Sequence, residues 1–332
     1  MKFSKIKTIL VGEPVFRLKQ LKKLVFQDLI YNWDQATVLN LELRKKLAKE
    51  IPLEIPYKLV ESKDKNTLKA VVFLTDRLSC EAVLMRHKGR NTVCISSQVG
   101  CALNCAFCAT GKAGFKRNLT SDEIIDQVLL FTRLLKKENK KLNNVVFMGM
   151  GEPFLNYQAV LEAIKTINDP FGLAIGSRHI SVSTCGIIEG IKKFSLESLQ
   201  VNLAISLHAP TDKQRTQLMP VNKKYPLKDV LNIATDYVNK TKRKLMFEYT
   251  LIKGINDRPE DALNLAKIMD QKLFFVNLIV YNPTGAFESS TKESIETFRK
   301  ILEQNGVQAT LRYHFGSDIN AACGQLAPKY YS

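Results

Sequence analysis

The chain has 332 residues, of which 45% are hydrophobic, which is enough for one large domain or two smaller ones around a sizeable core. Lysine and arginine total 49 against 32 aspartate and glutamate, giving a net charge of +17. No apolar stretch approaches the length that crosses a bilayer, and no signal-peptide core follows the basic N-terminus. We therefore expect a cytoplasmic protein without a membrane partner, in which the seven cysteines are reduced.

The strong positive charge has two interpretations. A polyanionic partner such as RNA or DNA would gain much of its affinity from counterion release on such a surface. Solvated faces that simply carry many lysines would give the same charge balance. Composition alone does not separate the two.

The N-terminal part of the chain predicts helices and then strands. Apolar residues recur three and four positions apart from Phe16 to Gln27, as on one face of a helix. A second helix is indicated by the four-residue repeat of Leu39, Leu43, Leu47 and Ile51. Beyond two prolines, residues 57–85 show a strand-like pattern. We predict a helical N-terminal accessory domain over residues 1–55 and a β-containing connector over residues 56–90.

From residue 91 to residue 332, apolar strand runs alternate with helical stretches. The predicted strands are Thr92–Ser96, Asn144–Met148, His179–Ser183, Val201–Ser206, Leu245–Leu251, Phe274–Ile279 and Val307–Leu311. The predicted helices cover residues 121–136, 157–167, 187–195, 227–239, 259–270 and 290–305. This alternation predicts the α/β class, with a parallel sheet that is either open or barrel-like and has right-handed crossovers.

Three cysteines, Cys101, Cys105 and Cys108, lie at C-x3-C-x2-C spacing directly after the first of these strands. Ordinary ferredoxin sequences supply four cysteines to each iron–sulfur cluster, but no fourth cysteine lies near this run. One iron would then lack a protein ligand and could bind a substrate, as a catalytic zinc with three protein ligands does. The alternative is a structural zinc loop, with His87 or a distant residue as the fourth ligand.

Several other predicted strands also end in polar or glycine-rich residues. In parallel sheets the reactive groups collect at the carboxyl ends of the strands. We therefore predict that these residues lie together around a single active site. They are suited to a ligand with an amino acid end and a nucleoside end. The residues are Gly149, Gly151, Glu152, Ser183, Ser206, His208 and Asn282.

These motifs, in this order, resemble the radical S-adenosylmethionine (SAM) superfamily and, more narrowly, the RlmN/Cfr family of RNA adenine methyltransferases. The resemblance runs from about Phe16 to Leu326. Its most specific parts are Cys94 to Cys101, Phe107 to Gly111, Gly149 to Pro153, Ser206 to His208, Leu218 to Pro220 and Ala321 to Leu326. It implies a partial (βα)6 TIM-like radical SAM barrel over residues 91–332, with a helical N-terminal accessory domain that helps to bind RNA.

The resemblance also implies a role for each site residue. Cys101, Cys105 and Cys108 match the ligands of one [4Fe-4S] cluster. Cys323 matches the cysteine that becomes S-methylated, Cys94 the second catalytic cysteine, and Glu81 a carboxylate assigned as proton acceptor. The positions around SAM are matched by Gly151, Glu152, Ser183, Ser206, Leu207, His208 and Asn282.

The implied reaction consumes two molecules of SAM per turnover, because the ring carbons of adenine are not nucleophiles. A methyl group first moves to the Cys323 thiolate. A radical then removes hydrogen from that methyl group, and the resulting carbon radical adds to the ring. Cys94 attacks the Cys323 sulfur to release the product, which forms a disulfide between the two cysteines. A flavodoxin or ferredoxin type electron donor is implied, and we expect a monomer.

The favoured substrate atom is carbon 2 of an adenine in 23S rRNA, with tRNA as a further candidate substrate. Pro153 matches this branch of the family, whereas Cfr-type enzymes, which methylate carbon 8 and confer antibiotic resistance, commonly carry alanine there. A zinc-stabilised RNA-binding protein without catalysis is the alternative from a different class. Cys94 and Cys323 argue against it, because a binding protein has no use for two further thiols at strand ends.

Four further residues have alternative or structural interpretations. A carboxylate at the edge of a strand is usually solvated, and this is the alternative reading of Glu81. Cys80 and Cys185 have no family role and are interpreted as small buried hydrophobic residues. The family usually has aspartate where this chain has Asn320, which removes a charge close to Cys323.

Overall fold

The computed structural model describes residues 3–312 and 315–327. Residues 1–2, 313–314 and 328–332, which the predicted domains include, lie outside these ranges. The strands are β1 (Tyr57–Glu61), β2 (Thr67–Phe73), β3 (Ser79–His87), β4 (Arg90–Cys94), β5 (Gln98–Gly100), β6 (Phe115–Asn118), β7 (Asn144–Phe147), β8 (Ile180–Thr184), β9 (Asn202–Ser206), β10 (Leu245–Leu251), β11 (Phe274–Val280) and β12 (Ala309–Leu311). The α-helices are α1 (Ile6–Ile9), α2 (Phe16–Phe26), α3 (Leu41–Glu50), α4 (Ala109–Lys112), α5 (Ser121–Lys137), α6 (Tyr157–Asn168), α7 (Ile188–Phe194), α8 (Asp212–Leu218), α9 (Leu227–Thr241), α10 (Pro259–Ile268) and α11 (Lys292–Gln304).

Ten strands form one sheet, in the order β1-β2-β3-β4-β7-β8-β9-β10-β11-β12. The pairs from β1 to β4 are antiparallel, whereas every pair from β4 to β12 is parallel. Within the described ranges β1 and β12 do not pair with each other, so the sheet is open, as in a partial barrel. The predicted α/β class with a partial barrel is confirmed.

The predicted strands and helices of the barrel region are all present, with ends shifted by one or two residues. The strands are apolar because helices cover one side of the sheet, and residues such as Val145, Val182, Ile205 and Phe247 are fully buried. The crossover helices α6, α7, α9, α10 and α11 each return the chain so that the next strand runs parallel to the one before. The carboxyl ends of β4 and β7–β11 therefore lie at the same edge of the sheet.

A two-stranded sheet of β5 and β6, and the short helices α4 and α8, were not predicted, because three to seven residues carry no measurable periodicity. The β5–β6 pair holds the base of the cysteine loop, where the Cys101 amide donates to the Gly114 carbonyl at 3.1 Å. Gly100 has φ of +76°, and a Cβ atom there would lie 1.7 Å from the Gly114 oxygen. Only glycine fits at this crossing of the two strands.

The N-terminal helices are joined to the barrel by buried polar contacts. Arg133 of α5 is 5% exposed and donates to the carbonyls of Ile30 and Leu53, the latter at 2.9 Å. Within the N-terminal part itself, the Trp33 indole, which is 2% exposed, donates to the Ile51 carbonyl at 2.7 Å. The division into residues 1–55, 56–90 and 91–332 stays a prediction. In the part of the chain that the structure describes, no helix has the length and apolarity that a bilayer crossing needs.

Candidate active site

One cavity opens at the carboxyl edge of the parallel strands. Its walls come from these strand ends, from the cysteine loop between β5 and α4, and from the C-terminal segment (residues 316–327). Eleven of the thirteen predicted site residues line it: Cys94, Cys101, Cys105, Cys108, Gly151, Glu152, Ser183, Ser206, His208, Asn282 and Cys323. The other two, Glu81 and Leu207, are not among the described residues that line this cavity.

The cysteine loop brings Cys101, Cys105 and Cys108 into this cavity as free thiols. Gly111 packs against the turn of the loop, where a Cβ atom would lie 3.0 Å from the Asn104 Cα. Burial raises the pKa of Cys101 to about 12 and also raises the pKa of Cys108, so these two thiols keep their protons at neutral pH. A metal that binds here must displace these protons, because thiolates are the ligands.

The three thiols line one cavity, as the ligands of an iron–sulfur cluster would. Within residues 3–312 and 315–327, no three His, Cys, Asp or Glu side chains converge closely enough to hold one metal ion. A cubane cluster needs only one thiolate for each of its irons, so its protein ligands stand apart. His87, the suggested fourth zinc ligand, instead packs its ring against Phe315 with centroids 5.8 Å apart. The zinc interpretation therefore finds no preformed site in the described residues.

Two glycines after β7 bring the backbone close to the cavity. A Cβ atom on Gly149 would lie 2.7 Å from the Ile95 backbone. Gly151 has φ of +96°, and a Cβ atom there would lie 2.5 Å from the Gln98 side chain. Both positions therefore require glycine, and their amide and carbonyl groups can approach a bound ligand closely.

The Glu152 carboxylate connects two loops of the site. One carboxylate oxygen accepts the Cys185 amide at 2.7 Å and the other accepts the Phe154 amide at 3.0 Å. Burial raises the pKa of Glu152, although these hydrogen bonds oppose the effect. The first bond holds the loop after β7 against the loop after β8, and the second caps the turn that follows Glu152. A direct contact of this side chain with the cofactor stays a prediction.

Ser183 and Ser206 lie side by side at the ends of β8 and β9. Their hydroxyl oxygens are 3.4 Å apart, and both residues line the cavity. Ser183 pairs with Ala204, so Ser206, two residues further along β9, lies on the same face of the sheet as Ser183. Each hydroxyl can both donate and accept a hydrogen bond, which suits a ribose or a carboxylate.

His208 presents a neutral imidazole to the cavity. Burial, and then the charge of Arg215, lower its pKa to about 3. Its Nδ1 accepts the Thr250 amide at 3.0 Å, so the single proton of the neutral ring is on Nε2 and can be donated. The backbone has φ of +56°, and the Asn256 amide holds this left-handed turn by donating to the His208 carbonyl at 2.7 Å.

The two remaining cofactor-binding predictions differ in outcome. Asn282 lines the cavity, and its side-chain amide donates to the Cys323 carbonyl at 3.3 Å. Leu207 is fully buried in the core, and its amide donates to the Glu248 carbonyl at 3.0 Å. A contact of Leu207 with SAM therefore stays a prediction without support from its side chain.

Cys94 and Cys323 face the same cavity from opposite parts of the chain. Cys94 ends β4, while Cys323 is an exposed residue of the C-terminal segment. All seven cysteines are free, so the disulfide between these two stays a prediction about an intermediate. Burial raises the pKa of Cys94 to about 12, so its thiol is protonated at neutral pH.

Arg312 is a cavity residue that the sequence analysis missed. The charge of Cys323, followed by those of Glu248 and Cys94, raises the pKa of its guanidinium despite burial. The guanidinium lies 3.8 Å from the Glu248 carboxylate, and burial raises the pKa of that carboxylate. The positive charge of Arg312 lowers the pKa of the Cys94 thiol and so opposes the effect of burial there. The sequence signal that could have identified Arg312 is its position directly after the last strand.

Glu81 is buried in an ion pair, so its alternative reading as a solvated strand-edge carboxylate is wrong. Its side chain is 1% exposed and lies 3.2 Å from the Lys69 ammonium. Its second oxygen accepts the Ala327 amide at 3.1 Å. Lys69 was missed as well, although a lysine within the apolar run of β2 was a visible signal.

Three further residues were singled out in the sequence. Cys80 is fully buried, as expected for a small hydrophobic residue. Cys185 is only half-buried; a hydrogen bond with the Cys105 thiol and burial raise its pKa, and it lines the cavity. Asn320 is exposed and has φ of +51°, a left-handed conformation that asparagine tolerates well.

The family profile of the Radical SAM superfamily matches residues 95–266, which is more than half of the chain. The match begins just before the cysteine loop and includes the ends of β7, β8 and β9. The fold and the cavity thus define a radical SAM enzyme. Such enzymes use an iron–sulfur cluster and SAM, so both are cofactors here.

Individual relatives assign the chain to one family within the radical SAM superfamily. The chain is 45% identical to the "Probable dual-specificity RNA methyltransferase RlmN" of Dictyoglomus thermophilum over 96% of its length and 92% of the relative. It is 40% identical to the protein of the same name from Clostridium perfringens, over 96% and 92%. A radical SAM methyltransferase from Sphaerobacter thermophilus superposes with a TM-score of 0.95 at 40% identity, covering 98% of this chain and 97% of that one. The chain belongs to the RlmN family of radical SAM RNA methyltransferases.

The buried neutral His208 makes stability sensitive to acid, and replacing it with asparagine should reduce this sensitivity. The folded pKa of about 3 lies below the unfolded value of about 6.5, so only the unfolded chain takes up this proton as the pH falls. Between pH 7.5 and 5.5 the wild type should lose about 1.4 kcal/mol more unfolding free energy than His208→Asn. Urea unfolding at the two pH values measures the difference. Equal losses in both proteins would show that His208 is not held neutral.

Proposed function

We propose that this chain methylates carbon 2 of an adenine in 23S rRNA, with tRNA as a second substrate. The observation that carries this proposal is the convergence of Cys94 and Cys323 on the cavity that also holds the three loop thiols. A reaction through an S-methylated cysteine needs both extra thiols beside the cofactors. The name "dual-specificity" that the relatives carry fits two classes of RNA substrate.

The loop thiols Cys101, Cys105 and Cys108 would hold one [4Fe-4S] cluster per chain. When bound, the cluster and SAM supply reductive cleavage to a carbon radical, chemistry that no side chain can provide. A flavodoxin or ferredoxin type protein would deliver the electron to the enzyme, which we expect to be a monomer. The SAM contacts would come from Gly151, Glu152, Ser183, Ser206, Leu207, His208 and Asn282.

Cys323 is the proposed methyl acceptor because adenine carbon 2 is not a nucleophile. Its thiolate attacks the methyl group of the first SAM, forming a thioether as S-adenosylhomocysteine leaves. Arg312 lies in the same cavity and stabilises the negative charge before the attack. The second SAM of each turnover is used to activate the new methyl group. That group gives one hydrogen atom to the radical and adds to the adenine carbon. The ring carbon then loses its own hydrogen as a proton, and the unpaired electron would return to the cluster, so that a closed-shell thioether links Cys323 to the RNA.

Cys94 is the proposed releasing group. Its thiolate attacks the Cys323 sulfur, which forms a disulfide and breaks the bond between that sulfur and the methylene carbon. The electron pair stays with the carbon, which takes a proton to become the methyl group of the product. An external thiol must then reduce the disulfide. Because burial keeps Cys94 protonated, the thiol must lose its proton before this step.

Methylation at carbon 8 is the competing outcome within the family. Pro153, which begins the short turn Pro153–Asn156 directly after Glu152, is the residue that favours carbon 2. This preference rests on the pattern of the family and not on a contact with RNA.

Nucleoside analysis tests the reaction and its position together. Anaerobically reconstituted protein, SAM and a reductant should convert 23S rRNA adenine to 2-methyladenosine, which mass spectrometry with chromatography separates from 8-methyladenosine. Cys105→Ala removes one cluster ligand and should give a protein that lacks the brown colour and makes neither nucleoside. Formation of 8-methyladenosine would contradict the proposed position, and zinc without iron after reconstitution would contradict the reaction.

The two catalytic cysteines should fail at different steps. Cys323→Ala should give neither methylated protein nor methylated RNA, because the acceptor is missing. Cys94→Ala should still become linked to RNA and then stall. Denaturing gels should show a protein–RNA adduct that collapses on RNase treatment and leaves a nucleotide mass on the Cys323 peptide. Normal turnover by Cys94→Ala would refute the proposed division of roles.

A further inference from the structure

The C-terminal segment carries Cys323 but lies beyond the last strand, so strand pairing does not fix its position. On the barrel side, hydrogen bonds to α4 hold it. The Ala109 amide donates to the Gly324 carbonyl at 2.7 Å, and the Thr110 hydroxyl donates to the Leu326 carbonyl at 2.6 Å. These bonds place the residues after Cys323 against the cysteine loop.

The antiparallel strands hold the segment on both sides of Cys323. The Lys69 ammonium donates to the Asn320 carbonyl at 3.1 Å, three residues before Cys323. The Glu81 carboxylate accepts the Ala327 amide at 3.1 Å, four residues after it. Both bonds go to the backbone, so they constrain the path of the chain whatever side chains it carries.

Lys69 and Glu81 also pair with each other. In the β2–β3 register Lys69 is opposite Val83 and Glu81 is opposite Val71, so the two side chains share one face as diagonal neighbours. The ammonium and carboxylate are 3.2 Å apart, with exposed fractions of 4% and 1%. A buried ion pair is tolerated only when hydrogen bonds satisfy its remaining groups. Here the C-terminal segment provides one such bond to each partner.

We propose that Lys69 and Glu81 are a positioning pair that docks the C-terminal segment and so sets Cys323 in the cavity. This inference rests on the proposed function of Cys323 as methyl acceptor. It gives Glu81 a different role from the proton acceptor that the family resemblance implies. One Glu81 oxygen faces Lys69 and the other binds Ala327, and Glu81 is not among the described residues that line the cavity.

The first half of the reaction distinguishes the two possible roles of Glu81, which are positioning of the C-terminal segment and acceptance of a proton. Transfer of a methyl group to Cys323 needs no RNA and no base acting on the adenine, but it does need Cys323 to be in place. The measurement is therefore the rate of Cys323 S-methylation without RNA, read as the mass of the Cys323 peptide. Protein purified without iron and reconstituted anaerobically starts with an unmethylated cysteine.

The double variant Lys69→Met/Glu81→Leu removes both bonds to the segment without leaving an unpaired buried charge. Its Cys323 methylation should be about tenfold slower or worse, because a misplaced nucleophile loses most of its rate. Hydrogen exchange of residues 316–327 should rise, while iron content and the exchange of β10 stay as in the wild type. The control variant Lys58→Met/Glu61→Leu makes the same changes at exposed positions of β1. It should match the wild type in the rate of Cys323 methylation and in the hydrogen exchange of residues 316–327.

Glu81→Gln is the second variant, because glutamine still accepts a hydrogen bond but is not a base. It should methylate Cys323 and RNA within about threefold of the wild type, since a neutral acceptor replaces a charged one. Normal Cys323 methylation with no methylated RNA would overturn the proposal in favour of a proton acceptor. Wild-type rate and protection in the double variant would also overturn it. Absence of Cys323 methylation in the wild type would instead refute the proposed function.

Discussion

The parallel pairing from β4 to β12 is the constraint on which the site depends. Because these strands all run in one direction, their carboxyl ends meet at one edge of the sheet, and the residues that follow them share one cavity. Ser183 and Ser206 become neighbours only through the register of β8 and β9. The cysteine loop lies at the same edge of the sheet, and the β5–β6 pair holds its base. Changing the direction of a single strand would separate these groups.

The cavity is completed from outside the parallel strands. The C-terminal segment contributes Cys323, and Asn282 at the end of β11 binds the carbonyl of that cysteine. The antiparallel strands β2 and β3 extend the same sheet and hold the segment through Lys69 and Glu81. The strands of the predicted connector thus contribute to the site by binding the C-terminal segment. Their position in the sequence gives no indication of this contribution. The segment that carries Cys323 is thus bound by side chains about 240–260 residues away in sequence.

The sequence predicted the fold well because the buried parallel strands are continuous apolar runs and their helices are amphipathic. It predicted the cysteine loop and most of the cavity because glycines, cysteines and polar residues follow the strands directly. It did not predict which way Leu207 points or how Cys185 contacts Cys105, since both depend on packing between loops. The Lys69–Glu81 pair was not predicted either, because the pairing follows from the register of two strands. A charged residue inside each apolar run was the signal that could have led to it.

The central claim is that the carbon added to RNA passes through Cys323, and isotope transfer tests it most directly. The enzyme would be supplied with SAM that carries a trideuterated methyl group. The mass of the methyladenosine formed in later turnovers would then be measured. Passage through Cys323 predicts a product with two deuterium atoms, because one is removed while the carbon is on sulfur and water supplies its replacement. A product that keeps all three would show direct transfer of an intact methyl group and would contradict the account.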